Sequence, residues 1–222
     1  MSRSALDRRA MLGLSGLALG GLSGLALGGL AMPSAWADSA PAGPSIIPLE
    51  GHLPPLALHM QDVETGRPVT QAAFHCHPVI LYFGFTRCPD TCPLTMQNAA
   101  KLIPLLGKHG KDLRVVFVTI DLAYDTAARL RTFMAKFGPP PVFTGLRGTP
   151  AELAAAAKRF GVYYRAPTGP DSPDPESAIR HSSATYLFGP DGRAIALLAT
   201  FPSSRPDLPG VAALIRKTMD KS

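Results

Sequence analysis

The sequence predicts an α/β fold in which helices flank a central mixed sheet. Two continuous runs of β-branched and aromatic residues, 79–85 and 115–121, are the main observation. Such runs are typical of strands that are covered on both faces, as in the centre of a sheet. The segment between them, 95–106, has apolar residues at helical spacing, so strand and helix alternate.

The rest of the chain continues this alternation and ends in a hairpin and a helix. Helical spacing after turn residues predicts two more helices, over 125–137 and 150–160. A hairpin is predicted next, with strands over 185–188 and 194–200 around a Gly-Pro-Asp-Gly turn, and 211–219 has the pattern of a last helix. A parallel core followed by a hairpin and a helix is the order of a thioredoxin-like fold.

Residues 1–37 have the features of a signal peptide similar to the twin-arginine type. Arg8 and Arg9 precede an apolar stretch, and Ala35 and Ala37 form a small-x-small cleavage pattern. The stretch is glycine-rich and only weakly hydrophobic, which favours receptor-read export to a bacterial periplasm over permanent anchoring. It is also long enough to span a bilayer, so an uncleaved leader anchored in the inner membrane is the alternative.

The mature chain is expected to form one domain. Residues 38–52 are rich in Pro, Ala, Gly and Ser and predict an extended lead-in without a core element, and residues 53–222 form the domain. The formal net charge of +6 over 222 residues is too mild and too scattered to indicate nucleic acid. We expect membrane contact only through a partner or an uncleaved leader.

Two of the three cysteines, Cys88 and Cys92, lie where a predicted strand turns into a helix. The unpaired amides and the dipole of a helix N-terminus favour anions, so both sulfurs have a reason to ionise. Four-residue spacing places the two side chains on one helical face. A thiolate pair selects Cu(I) and other soft ions, and one imidazole can complete a trigonal site. The two residues alone leave open a metal site, a redox-active pair and a static disulfide.

Four segments along the chain carry a family resemblance. They are Leu-Tyr-Phe-Gly-Phe-Thr-Arg-Cys-Pro-Asp-Thr-Cys-Pro at 81–93, Val-Thr-Ile-Asp at 118–121, His-Ser-Ser-Ala-Thr-Tyr-Leu at 181–187 and Pro-Asp-Gly at 190–192. Together they resemble the SCO/SenC family of copper chaperones. The resemblance implies a thioredoxin fold that binds Cu(I) or Cu(II) through Cys88, Cys92 and His181. It also implies a role in metallating the binuclear copper centre of cytochrome c oxidase subunit II.

The position of His181 agrees with the ligand role that the resemblance implies. It lies just before the predicted strand 185–188, whose start faces the cysteine-bearing turn in a thioredoxin fold. Redox members of that fold generally place a cis-proline there, whereas this chain has Ser-Ser-Ala at 182–184, which leaves room for a metal ligand. The preceding residues 166–179 are rich in proline and poor in apolar residues, so we expect a mobile loop.

Two positions near this site depart from the family pattern. Arg180 stands where the family usually has Asp before the histidine, and Leu122 stands where Pro commonly follows the strand-end Asp. Both changes bear on partner docking or on copper affinity.

Residues 75–77, His-Cys-His, place three metal-ligating side chains in a row. Adjacent residues in a strand point to opposite faces, so the three cannot bind one ion without a bend. We expect Cys76 to be a small buried side chain ahead of the first central strand. A second copper or redox role is the alternative.

Asp121 and Asp125 follow a central strand, on the edge where α/β sites usually lie. Each either caps the helix that begins near Thr126 or has a docking or supporting role at the site. Tyr163 and Tyr164 are expected to pack in a strand, and contact with a partner is the alternative.

Two functions are compatible with such a site. The first is a metallochaperone, which is not an enzyme in the turnover sense and hands copper to subunit II, or to a similar copper-receiving protein, by ligand exchange. The second is a thiol:disulfide oxidoreductase in which Cys88 and Cys92 are the redox-active pair, with a periplasmic thiol reductant as partner. The sequence lacks the Thr-x-x-Cys constellation of peroxiredoxins and the Cys-x-x-Cys-His motif of c-type haem proteins.

Overall fold

The computed structural model describes residues 43–165 and 179–221. The predicted leader, 1–37, lies outside the described residues, as do residues 166–178 of the predicted mobile loop. In the described ranges, no helix is both long enough and apolar enough to cross a membrane.

One mixed sheet forms the centre of the fold. Its eight strands among the described residues are β1 (Ile46–Pro48), β2 (His59–Asp62), β3 (Pro68–Thr70), β4 (Val79–Gly84), β5 (Arg114–Thr119), β6 (Phe143–Arg147), β9 (Thr185–Phe188) and β10 (Ala194–Leu198). They lie in the order β1-β10-β9-β4-β5-β6-β2-β3, and β4, β5 and β6 run parallel. Two short strands, β7 (Tyr164–Arg165) and β8 (Arg180–His181), form a separate antiparallel ladder.

The central strands determine where the cysteine loop lies. All six residues of β4 are buried, and so are five of the six in β5, because strands cover both edges and helices cover the faces. β9 runs antiparallel to β4 and pairs Thr185 with Tyr82. The start of β9 therefore lies beside the carboxyl end of β4, where the chain enters the cysteine loop.

The four α-helices among the described residues are α1 (Thr91–Leu105), α2 (Ala127–Met134), α3 (Pro150–Arg159) and α4 (Leu208–Met219). Thr149 and Glu152 form a reciprocal capping box at the start of α3. α1 packs against α4. The buried Asn98 of α1 donates hydrogen bonds to the carbonyl oxygens of Phe201 and Ser203, which precede α4. These bonds link the helix that carries Cys92 to the C-terminal helix.

The structure confirms the predicted architecture of a mixed central sheet with flanking helices, a β9–β10 hairpin and a C-terminal helix. The prediction that residues 38–52 contain no core element is wrong, because Ile46–Pro48 forms β1 and pairs with β10 at the edge of the sheet. Ile46 and Ile47 are partly buried there. Three residues are too few to show strand periodicity, so composition dominated that prediction.

Gly84, the last residue of β4, allows α1 to approach the sheet closely. A Cβ atom at this position would lie 2.8 Å from Cys92 Sγ, 2.8 Å from Tyr82 Cε1 and 2.9 Å from Phe117 Cζ. All three neighbouring side chains are fully buried, so none can move away without disturbing the core.

Gly84→Ala should therefore destabilise the fold by about 1–3 kcal/mol, the usual effect of overpacking a core. Urea unfolding measures this change in the free energy of unfolding. Gly43→Ala is the matched control, because a Cβ atom there meets nothing within 4 Å. Equal unfolding midpoints for the two variants would contradict the close packing at Gly84.

Candidate metal centre

The structure brings the three predicted ligands together. The sulfurs of Cys88 and Cys92 and a ring nitrogen of His181 all lie within 4.8 Å of one another. The loop after β4 supplies Cys88, the first turn of α1 supplies Cys92 and β8 supplies His181. Cys88 and His181 also line an open cleft. The two thiols and the imidazole therefore converge, with Cys88 and His181 on the cleft and Cys92 buried behind them.

The two cysteines do not share a helical face, in contrast to the prediction from their spacing. α1 begins at Thr91, so Cys88 lies in the loop and only Cys92 lies in the helix. The Cys92 backbone N–H points out of the first turn and donates to Cys88 Sγ at 3.5 Å. The helix N-terminus thus acts on the sulfur that precedes it.

The two thiols have opposite electrostatic environments, so the expectation that both ionise is wrong. Hydrogen bonds from the Cys92 side chain, from His181 and from backbone N–H groups lower the pKa of Cys88 to about 3 and outweigh its partial burial. Burial raises the pKa of the Cys92 thiol, and the neighbouring Cys88 raises it further. At neutral pH the metal-free site thus combines a partly exposed thiolate, Cys88, with a buried thiol, Cys92.

His181 is held in a defined orientation. It lies in the β7–β8 ladder opposite Tyr164, and not in an irregular loop. Its Nδ1 lies 3.0 Å from the carbonyl oxygen of Ser182, which can only accept, so Nδ1 carries the proton. Nε2 is therefore the ring nitrogen that faces the sulfurs and would bind a metal, and it lies 3.8 Å from Cys92 Sγ. The Tyr82 and Phe85 rings make T-shaped contacts with the imidazole.

Tyr82 is a site residue that the sequence analysis missed. Its hydroxyl donates to Cys92 Sγ at 3.7 Å, and the side chain is completely buried. Burial raises the pKa of this phenol, and Cys92 raises it further, so the hydroxyl keeps its proton. No pattern marks Tyr82, because every residue of β4 is buried.

Asp125 supports the cysteine loop. Its carboxylate accepts hydrogen bonds from the backbone N–H and hydroxyl of Thr86 and from the hydroxyl of Thr119. Burial raises the pKa of Asp125, and these hydrogen bonds oppose that shift. Asp125 does not cap α2, because Thr126 accepts from the backbone N–H of Arg129 and takes that role.

Asp121 holds the same loop through an ion pair. Arg87, directly before Cys88, places two nitrogens 2.8 Å from Asp121 Oδ2, and the carboxylate is almost completely buried. The Arg87 guanidinium also stacks over the Tyr124 ring at 4.4 Å. Of the two roles considered for Asp121 and Asp125, the contacts therefore favour support of the site.

The His75-Cys76-His77 run stays apart from the site, and the prediction that Cys76 is buried is wrong. Cys76 is exposed because the chain turns there, with a left-handed φ of 65°. Its sulfur lies 3.0 Å from His75 Nδ1. His77 is engaged elsewhere, since its Nδ1 bonds to the Asp112 carbonyl and its Nε2 accepts from Arg114. Strand alternation did not apply, because this segment is a turn.

The SCO1/SenC family model matches residues 61–217 of the chain. The chain belongs to the SCO1/SenC family. Protein SenC of Rhodobacter capsulatus is 37% identical over 129 residues, which cover 57% of this chain and 55% of that protein. The mitochondrial SCO1 homolog of Mus musculus is 31% identical over 158 residues, which cover 70% of this chain and 54% of that protein. The matched segment thus spans about half the length of these curated relatives.

Two solved structures with copper bound are similar to this SCO1/SenC protein. ScoI of Bradyrhizobium japonicum is 26% identical with a TM-score of 0.61, covering 74% of this chain and 98% of that chain. Yeast Sco1 is 28% identical with a TM-score of 0.63, covering 76% of this chain and 91% of that chain. The predicted thioredoxin-like class and the predicted family are both confirmed.

The unequal thiols lead to a pH-dependent prediction for the reduced, metal-free protein. Because the pKa of Cys88 is lowered to about 3, its thiolate persists on acidification. Iodoacetamide should therefore alkylate Cys88 at nearly equal rates at about pH 5 and about pH 8, whereas an ordinary thiol slows about tenfold per pH unit. Mass spectrometry of the Cys88 peptide measures the rate.

Cys92→Ala is the informative comparison, because it removes the largest cause of the lowered pKa. Alkylation of Cys88 in this variant should slow more steeply as the pH falls. A wild-type rate that already falls about tenfold per pH unit would contradict the assigned environment.

Proposed function

We propose that this protein is a metallochaperone that binds one copper ion through Cys88, Cys92 and His181. The observation that carries the proposal is the convergence of two sulfurs and one imidazole nitrogen within 4.8 Å. Two soft sulfurs and an imidazole suit Cu(I) in a three-coordinate site, and an imidazole also suits Cu(II). The copper-bound structures of similar Sco proteins support the choice of metal.

The accessibility of the site suits transfer better than storage. Cys88 and His181 line an open cleft, whereas Cys92 is buried behind them. An incoming thiolate from a receiving protein can reach a copper ion from the cleft side and replace the accessible ligands first. Cys92 would then release the ion last.

The receiving protein in this proposal is subunit II of cytochrome c oxidase, at its binuclear copper centre, or a similar copper-receiving protein. Membership of the SCO1/SenC family supports the proposal of a copper-receiving partner. The proposed location is the periplasm, with residues 1–37 as the export signal and residues 53–222 as the copper-binding domain. An inner-membrane anchor formed by an uncleaved leader is the alternative location.

Anaerobic Cu(I) titration tests the ligand set. The reduced protein should bind one equivalent, and Cys88→Ser or Cys92→Ser should each weaken binding by more than the roughly 10–100-fold lost when a residue behind the ligands is changed. Cys76→Ser is the matched control, because it removes an exposed thiol outside the site. Copper loss in Cys76→Ser together with retention in Cys92→Ser would refute the assignment.

A thiol:disulfide oxidoreductase is the second candidate, and one observation favours it. Cys88 is accessible while Cys92 is buried behind it, which is how an attacking thiolate and a resolving thiol are arranged.

His181→Ala should distinguish the two functions. Loss of the imidazole removes the only nitrogen ligand, so Cu(II) binding should suffer most, while Cu(I) remains on two sulfurs with lower affinity. Thiol exchange should persist, because sulfur access is unchanged. A chaperone with this change leaves the oxidase deficient in copper. Two results together would favour the oxidoreductase. Cells with His181→Ala would load the oxidase with copper normally, and cells with Cys88→Ser would fail to do so unless reductant is added.

Export makes a separate prediction. If the leader is processed at the small-residue pattern, the mature protein begins at Asp38. Intact-mass analysis of the periplasmic fraction measures this directly. A membrane-bound species with the mass of the full chain would instead establish the anchored alternative.

A further inference from the structure

The β7–β8 ladder presents different chemistry on its two faces. Side chains alternate along a strand, and residues paired across two strands point to the same face. Tyr164 and His181 form one pair, and His181 faces the sulfurs. The adjacent pair, Arg165 and Arg180, alternates to the other side of the ladder. Both arginines are exposed, and Arg180 also lines the cleft that contains Cys88 and His181.

Tyr163 joins the two arginines on this outer face. The Ser182 N–H donates to the Tyr163 carbonyl oxygen at 2.9 Å, so the two chain segments stay together one residue beyond the ladder. Tyr163 is two residues from Arg165 and shares its side. With 62% exposure, it is one of two exposed large hydrophobic residues in the described ranges. We call Tyr163, Arg165 and Arg180 the outer patch.

The charges of the outer patch have no acidic partner within residues 43–165 and 179–221. Like charges directly opposite each other on antiparallel strands are destabilising. The ladder that carries a metal-ligand candidate thus keeps an unfavourable charge pair on its outer face.

We propose that the outer patch is the docking surface for an acidic segment of the protein that receives the copper. Only the identity of that protein as a copper acceptor rests on the proposed function. Exposed tyrosine and arginine are the residues that most often dominate binding energy at interfaces. Two exposed guanidinium groups, without an acidic partner among residues 43–165 and 179–221, match carboxylates in charge and in hydrogen-bonding geometry. The patch therefore selects an acidic partner segment over a basic or purely apolar one.

The same ladder connects docking to the metal centre. Arg165 and Arg180 form the rung next to Tyr164 and His181, and the described ladder has only these two rungs. A partner bound to the two arginines thus lies next to the residue pair that contains His181. Docking there places the acceptor beside the cleft that Cys88 and His181 line.

A hexaglutamate peptide tests the acid preference without copper. It should shift the amide resonances of the outer patch in ¹⁵N-labelled protein, and added salt should weaken its binding. The double variant Arg165→Gln/Arg180→Gln should bind it at least about tenfold more weakly, because two charge-assisted contacts are lost. Arg193→Gln is the matched control and should bind normally. Scattered shifts, or full binding by the double variant, would overturn the docking surface.

The double variant should also fold at least as well as the wild type, because the repulsion between the arginines is removed. Its unfolding midpoint in urea checks this. A clear loss of stability would assign the arginines a structural role and overturn the proposal.

Copper transfer tests the same surface in function. Cu(I)-loaded protein is mixed anaerobically with the copper-free soluble domain of subunit II, and the two proteins are separated at intervals so that the copper content of each gives the transfer rate. The double variant should bind Cu(I) with wild-type affinity but transfer it at least about tenfold more slowly at low salt, with the difference shrinking as salt is added. Equal transfer rates would overturn the docking surface. A wild-type protein that neither binds nor transfers copper would instead refute the proposed function, and the peptide result then decides the patch alone.

The chain itself contains acids that could compete for the patch, namely Asp171, Asp174 and Glu176. The hexaglutamate peptide is therefore also tested on a variant in which these three acids are replaced by their amides. If the peptide binds only to this variant, the patch is occupied by the chain's own segment 166–178. That result would overturn the assignment to a partner.

Discussion

A buried carboxylate holds the cysteine loop in place, and the geometry of the candidate site depends on it. Asp125 is completely buried, so its oxygens must be satisfied by protein donors. Thr86 and Thr119 supply those donors, and they join the loop after β4 to the end of β5. Arg87 and Asp121 make a second connection between the same segments. The loop that carries the first cysteine is therefore held from two sides before any metal binds.

The inequality of the two sulfurs follows from this arrangement. Because the loop stops just before α1, Cys88 receives the N–H of the helix and remains accessible to solvent, whereas Cys92 is enclosed by the sheet. Tyr82 adds a hydroxyl contact to the enclosed sulfur. Gly84 leaves just enough space for that sulfur against β4. A single close approach between helix and sheet thus produces one charged, accessible ligand candidate and one neutral, buried candidate.

The sequence predicted the parts that have local patterns. The long buried strands, the helices and the hairpin were predicted from periodicity, and Cys88, Cys92 and His181 were predicted from position and family resemblance. Short strands such as β1, β2 and β6 were not predicted, because their pairing depends on distant residues. A supporting role for Asp125 was one of two alternatives from the sequence, and its contacts decided between them. Tyr82 was missed because every residue of β4 is buried, so no pattern marks it. Cys76 was misjudged because an average preference for burial cannot anticipate a left-handed turn.

The ladder that holds His181 differs in cooperativity from the sheet that holds Cys92. Cys92 is fully buried in a long helix packed on the eight-stranded sheet of the described residues, so exposing it means breaking part of that packing. His181 lies in a ladder of only two described residue pairs. These pairs can separate by local opening, which costs much less free energy than unfolding the sheet. The local stability around the candidate ligands therefore differs, and it is lower around His181 than around Cys92. The imidazole can exchange on a faster timescale than the buried sulfur, without the fold itself opening.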